Sequence, residues 1–331
     1  MATIAVGLRT WLAGAALVLV GAAAQAAGLG EVRVGVLQFG TVSWELDVIE
    51  HHGLDAAEGF DLRVQGYASG EATNVALQGG AVDAIVDDWL WVSRQRADGK
   101  RLVFLPFSTA VGALMVPPES DVQDLADLEG RRLGVAGGPV DKSWLLVRAL
   151  AAERHGGMDL AGAVELAYGA PPLLNQKALS GELDAVLTYW NFAARLEARG
   201  FRELVGVEEA VKALGIGSEV PQLGYVFREA FADDNPELLA AFARASRAAK
   251  VILAESDGEW ARIRPLTGAE DDATFEALKA RFREGIPERW GEAERADAAE
   301  LYRILARLGG ERLVGSATEL AEGTFWAPVS Y

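Results

Sequence analysis

Trp44, Trp89, Trp91, Trp144 and Trp190, five of the nine tryptophans in the chain, stand where a β-rich run gives way to a helical one. Each indole alone reads equally well as a large core residue, because tryptophan is usually well buried. Together they read as the walls of a cleft, which would suit a flat ring, an apolar organic group or an alkylammonium cation held by cation–π attraction. Asp87 and Asp88, beside Trp89, sharpen this reading. A carboxylate in a partly dry cleft pairs with a cation or a hydrogen-bond donor and repels an anion. Asp88 also fits as the N-cap of the helix that begins at Trp89. The opposite pull comes from Ser69-Gly70 and from the loop Gly137–Lys142, each preceding a helix whose free N–H groups suit a carboxylate, sulfonate or phosphate. A zwitterion satisfies both, with its acid on amides and its amine near Asp87.

Chemistry that makes or breaks bonds finds no anchor. The chain has no cysteine, so disulfides, thiolate metal sites and Cys nucleophiles are excluded together. Its three histidines are His51, His52 and His155. The first two are neighbours, point in different helical directions and cannot form an i,i+4 metal pair. No G-x-S-x-G elbow or H-E-x-x-H stretch occurs. Ala136–Ser143 ends like a phosphate-binding loop, but Ala136 and Asp141 occupy its two required glycine positions. The reading is therefore a binding protein with no catalytic residue, cofactor or metal.

The elements that must position these residues alternate short β-rich runs with helical ones, the pattern of a mostly parallel sheet covered by helices. Strands are expected at Val32–Phe39, Phe60–Tyr67, Ala84–Asp87 and Leu102–Pro106, with helices at Ser43–His51, Glu71–Leu77 and Leu90–Arg96. A second set repeats the first in kind. Its strands are Ala113–Val116, Arg132–Ala136, Val164–Tyr168, Ala185–Thr188 and Glu203–Val205; its helices are Lys142–Arg154, Leu173–Leu179 and Phe192–Ala198. The segment Leu77–Trp89 resembles Leu179–Trp190 once one residue near Gly79 is skipped, so the two mark equivalent places in two lobes. Asp83 and Asp184, matched by this repeat, read as turn or cap residues. After Ser218 a strand at Gln222–Phe227 can return to the first lobe. Beyond it come helices from Pro236, over Asp272–Glu284 and Glu292–Arg307, and at Ala317–Ala321. In parallel sheets ligands sit beyond the carboxyl ends of strands. That adds Gln38, Phe39 and Thr41 after the first strand, Glu71 with Ser69 and Gly70 after the second, Asp141 with Trp144, and Tyr189 and Asn191 around Trp190.

Arg9, the apolar run Trp11–Ala24 and the small residues around Gln25 have the form of a secretory signal peptide removed after Ala26. The run falls short of the roughly 20 residues a spanning helix needs, so the expectation is a periplasmic protein with no membrane insertion and no lipid anchor. The net charge of −17, from 31 Lys and Arg against 48 Asp and Glu, disfavours nucleic acid and anionic membranes as partners. The expected division is residues 1–26 as signal, 27–112 as the first lobe, 113–218 as the second, and 219–331 as the return to the first lobe with C-terminal helices. A monomer is the natural state for a shuttle.

His52-Gly53-Leu54 followed by Gly59-Phe60-Asp61-Leu62-Arg63-Val64, the element Leu77-x-Gly79-Gly80-x-x-Asp83, the run Asp127–Val135 and Asn235-Pro236-Glu237-Leu238-Leu239 resemble the periplasmic binding proteins for nitrate, sulfonates, taurine and thiamine pyrimidine precursors. The resemblance implies a two-lobed α/β type II binding fold joined by two hinge strands, near Ala110–Val116 and Ser218–Tyr225. It also implies the permease of an ABC importer as partner. Carried over by position, it assigns ligand contacts to Gln38, Phe39, Thr41, Ser69, Gly70, Glu71, Asp141 and Trp190. The segment Asp87–Trp91 departs from the anion-binding members and argues against nitrate or a simple sulfonate. Two other uses of such a clamp are a periplasmic accessory or sensor protein and an enzyme like the thiamine-pyrimidine synthases. The latter are expected to need an active-site His and a Cys-rich element, which this chain lacks.

Overall fold

The computed structural model describes residues 28–38 and 40–331, so the signal-peptide segment and Phe39 lie outside the described residues. Among the described residues the strands are β1 (Gly30–Leu37), β2 (Phe60–Tyr67), β3 (Ala84–Asp88), β4 (Leu102–Ser108), β5 (Gly112–Val116), β6 (Arg132–Ala136), β7 (Glu165–Gly169), β8 (Ala185–Tyr189), β9 (Arg202–Gly206) and β10 (Leu223–Arg228). They form two five-stranded sheets, ordered β2-β1-β3-β10-β4 and β7-β6-β8-β5-β9. In the first, β1 runs parallel to β2 and β3 while β10 is antiparallel to β3 and β4. In the second, β6 runs parallel to β7 and β8 while β5 is antiparallel to β8 and β9. Each lobe thus receives its antiparallel strand from the chain arriving from the other. The protein has the two-lobed α/β fold of periplasmic binding proteins.

The repeat extends to side chains. Asp83, before β3, accepts hydrogen bonds from the backbone N–H of Arg33 at 3.0 Å and from its guanidinium at 2.9 and 2.7 Å. Asp184, before β8, accepts from the backbone N–H of Arg132 at 2.8 Å and from its guanidinium at 3.0 and 2.8 Å. The turn residues read from the sequence are therefore ion-pair clamps, each pinning a helix-to-strand turn to the parallel strand beside it, β1 or β6. Arg228 also reaches Asp83, at 3.3 Å.

Burial follows from strand position. β5, an interior strand, is buried at every residue, and so is the edge strand β4, whose open side is covered by the C-terminal segment: the Phe104 N–H donates to the Thr324 carbonyl at 2.8 Å and the Trp326 N–H to the Phe104 carbonyl at 3.0 Å. The chain passes between lobes twice, through Thr109–Val111 and through the stretch that ends at Gln222, and these passages lie side by side: the Gln222 N–H donates to the Ser108 carbonyl at 2.9 Å. One hydrophobic cluster runs through both lobes, joining Ile85 and Trp89 of the first to Val135, Trp144 and Leu187 of the second through Leu301, Tyr302 and Leu305 of the helix Glu292–Gly309.

Two features depart from the sequence reading. Ala317–Ala321 is not helical. A short helix at Glu311–Val314 lies between Gly310 and Gly315, both at positive φ, and the chain then passes through turns and bends to Phe325, which bridges to Phe104 of β4. Helices at Val207–Ala213 and Asp257–Thr267 form where none was expected; the second carries Pro265 in its last turn.

Candidate functional site

The loops that follow β1, β3, β6 and β8 converge from the two lobes on a cavity of about 600 Å³. The first lobe contributes Leu37, Gly40, Thr41, Asp88 and Leu90; the second contributes Val140–Ser143, Pro171 and Tyr189–Phe192. Ala110, Val111, Gln222 and Leu223 come from the two passages between the lobes, and Leu313 from the C-terminal region.

Its electrostatics rest on three residues. Asp88 ends β3 and divides its carboxylate: Oδ1 accepts from the Trp91 N–H at 2.7 Å, capping the helix Trp89–Ala97, while Oδ2 meets the Lys142 ammonium of the other lobe at 3.1 Å. Asp141 caps the helix Lys142–Arg154, accepting from the N–H groups of Ser143 and Trp144 at 2.9 and 3.3 Å. Burial pushes the Asp141 carboxyl above its ordinary range, against those N–H groups and Lys142. The Tyr189 phenol, also on the wall, is raised to about 12 by burial and by the nearby Asp141 and Asp88 carboxylates. Two carboxylates against one ammonium make the cavity an acidic one. The helix starts that suggested an anion site are already satisfied: Asp141 holds the second-lobe amides, and Ser69 accepts from the Ala72 N–H at 3.3 Å at the start of the helix Gly70–Gln78.

The sequence-read residues divide into two sets. Thr41, Asp88, Asp141, Tyr189, Trp190 and Asn191 line the cavity. Gln38, Ser69, Gly70, Glu71 and Asp87 do not, and Gln38, Gly70 and Glu71 face solvent. The Asp87 carboxyl turns back on the chain and accepts from the Asp88 N–H at 2.8 Å. Burial, with Asp88 beside it, pushes Asp87 up to about 7.

The aromatic walls need the largest correction. Trp89 and Trp144 are fully buried in the cluster shared by the lobes, and the Trp89 indole N–H donates to the Pro221 carbonyl at 2.9 Å. Trp91 packs against the same cluster. Trp44 is buried in the first lobe, its indole N–H on the Leu266 carbonyl at 3.2 Å. Of the five, Trp190 alone lines the cavity. It also meets Trp44 edge-on at 6.0 Å and Phe282 at 6.2 Å, so its ring fastens the second lobe to the first. A strand-tip position does not say whether a side chain points outward or folds back beneath its helix, and most of these indoles fold back. Lys142 stands in a loop the sequence marked, and Gln222 opens the returning strand. Nothing in its local sequence marks Leu313.

Residues 48–257 match the family model described as NMT1/THI5 like. A comparison with curated proteins found no match. Among solved structures, the periplasmic aliphatic sulphonate binding protein SsuA of Escherichia coli is 17% identical with a TM-score of 0.69, covering 90% of this chain and 97% of its own. The alkanesulfonate-binding protein SsuA of Xanthomonas axonopodis pv. citri, bound to MOPS, is 18% identical with a TM-score of 0.65, covering 90% and 98%. A DszB mutant in complex with biphenyl-2-sulfinic acid is 16% identical with a TM-score of 0.56, covering 89% and 97%.

Proposed function

The chain belongs to the NMT1/THI5-like family, and from that premise we propose that it is a periplasmic solute-binding component of an ABC importer that captures a small organic cation or zwitterion between its lobes. The observation that carries this reading is the cavity of about 600 Å³ where strand tips of both lobes meet, with Asp88, Asp141 and Lys142 on its wall. A volume of that order suits a small molecule rather than a macromolecule. The SsuA structures are those of sulfonate-binding proteins. In this chain the two helix starts that the sequence marked for an anion are capped by Asp141 and Ser69; the starts at Val42, Pro171 and Trp190 carry no side-chain cap, but two carboxylates, Asp88 and Asp141, line the space they open on. An ammonium or a protonated ring nitrogen takes the place of Lys142 at Asp88 and lies near the Trp190 ring, where cation–π attraction adds to the ion pair. An acidic group on the same ligand then pairs with the released Lys142. Ligand that contacts both lobes favours their closed arrangement, and the permease reads that arrangement.

The test is isothermal titration of the protein against amines, aminopyrimidines, amino acids, sulfonates and carboxylates. Binding by cationic or zwitterionic compounds, weakened at least about tenfold in D88N, is the expected result. Binding by simple sulfonates or carboxylates alone would overturn the ligand class.

A further inference from the structure

Away from the cavity, two helices of the first lobe bring His51, His52 and Glu259 together. A ring nitrogen of each histidine and a carboxylate oxygen of Glu259 all lie within 4.8 Å of one another. His52 Nε2 is 3.1 Å from Glu259 Oε2, and the two imidazoles stand perpendicular with centroids 5.0 Å apart. The sequence reading turned adjacent histidines in different directions, but the helix Val42–His51 ends between them: His52 is its C-cap, and Gly53 takes a left-handed turn at φ 61°. We propose that His51, His52 and Glu259 form a binding site for a divalent transition-metal cation of the zinc class.

The chemistry of the set fits. Two imidazole nitrogens and one carboxylate oxygen are the donors of three-ligand zinc sites, and an open fourth position is left to water. Zinc–nitrogen bonds of about 2.0–2.1 Å require donors somewhat closer than 4.8 Å. Both histidines are exposed and can turn inward. Glu259 supplies the fixed point. It is 6% exposed, and its Oε1 accepts from the Arg262 guanidinium at 2.9 and 2.6 Å, which leaves Oε2 facing His52. Such outer-sphere partners orient metal-binding carboxylates. Arg262 is also paired with Asp47, so its positive charge is balanced and the group as a whole stays anionic through Glu259. The carboxyl end of the helix Val42–His51 adds the negative pole of its dipole.

The untagged protein, freed of metal by a chelating resin, is titrated with Zn²⁺ by calorimetry and melted with and without it. Expected are one Zn²⁺ per chain, a higher melting temperature with the metal, and affinity at least about tenfold weaker in H51A and in H52A. H155A, which alters the histidine remote from this cluster in sequence, should bind like the parent. H51A changes an exposed side chain, so a folded variant is available even if E259Q proves unstable. No Zn²⁺ heat and no shift in melting temperature would overturn the proposal, and so would binding undiminished in the H51A/H52A double variant.

Discussion

Trp89 and Trp190 carry the same side chain at equivalent strand tips and do different things. The Trp89 ring is fully buried and its N–H is spent on the Pro221 carbonyl. W89A should therefore cost about 3–5 kcal/mol, the range for removing a buried aromatic, read as a shift in the denaturant midpoint. W190A opens the cavity wall and removes the contact with Trp44, so it should weaken ligand capture as well as stability. Equal loss of ligand affinity in the two variants, measured well below their melting temperatures, would refute this division. Asp87 offers a pH test. Its folded-state carboxyl titrates near 7 against an ordinary value of 3.8. Between those values the native state keeps a proton that the unfolded chain has lost, so stability falls as pH rises from about 4 to 7. D87N removes that contribution. Its melting temperature should exceed the parent's above pH 7 and vary less across that window, and parallel profiles for the two proteins would show that Asp87 ionises normally.

At the scale of the element, the two Arg–Asp clamps are a natural double experiment. Asp83 is buried and serves both Arg33 and Arg228, whereas Asp184 is more exposed and pairs with Arg132. Burial alone would raise the Asp83 carboxyl; the hydrogen bonds and charge of Arg33, helped by Arg228, bring it below its usual range instead. Its contribution is therefore present above the unfolded value near 4 and lost as pH falls below it. D83N should cost about 2–3 kcal/mol and D184N about 1 kcal/mol, from the worth of charge-assisted hydrogen bonds and the greater exposure of the second clamp. Urea unfolding measures both, and D184N costing as much as D83N would contradict the ranking. These elements also show what was legible in the sequence. The bounds of β2, of β6 and of the helices Lys142–Arg154 and Asp272–Glu284 follow from hydrophobic period and turn residues, and the repeat of Leu77–Trp89 in Leu179–Trp190 identified equivalent positions of the two lobes. Local pattern could not say which loop residues face inward. Asp88 and Asp141 were marked, but Asp87 and four of the five indoles turn away, because side-chain direction at a strand tip is settled by the helix packed behind it. Leu313 and Glu259 are brought to their places by contacts across most of the chain, and no local signal announces such neighbours.

The whole molecule is joined by more than its two strand passages. The helix Glu292–Gly309 supplies Leu301, Tyr302 and Leu305 to a cluster that includes residues of both sheets. The guanidinium of Arg195, in the second lobe, donates to the Thr267 and Gly268 carbonyls at 3.0 and 3.2 Å. Arg281, on the helix Asp272–Glu284, pairs with Glu197 and Glu203 of the second lobe at 2.7 and 2.8 Å. Trp190 packs among aromatic side chains of the first-lobe core. An apolar cluster shared in this way couples the lobes energetically: exposing one requires stripping the common helix from the other. The protein should therefore unfold in a single cooperative transition, with tryptophan fluorescence and far-ultraviolet circular dichroism giving coincident curves. Leu305 is fully buried in the shared cluster, so L305A, at about 2–5 kcal/mol, should move the whole curve to lower denaturant while leaving it single. Two separated transitions in the parent, or a split into two in L305A with one half at the parental midpoint, would mean that the lobes are stable independently and that the C-terminal helix belongs energetically to one of them.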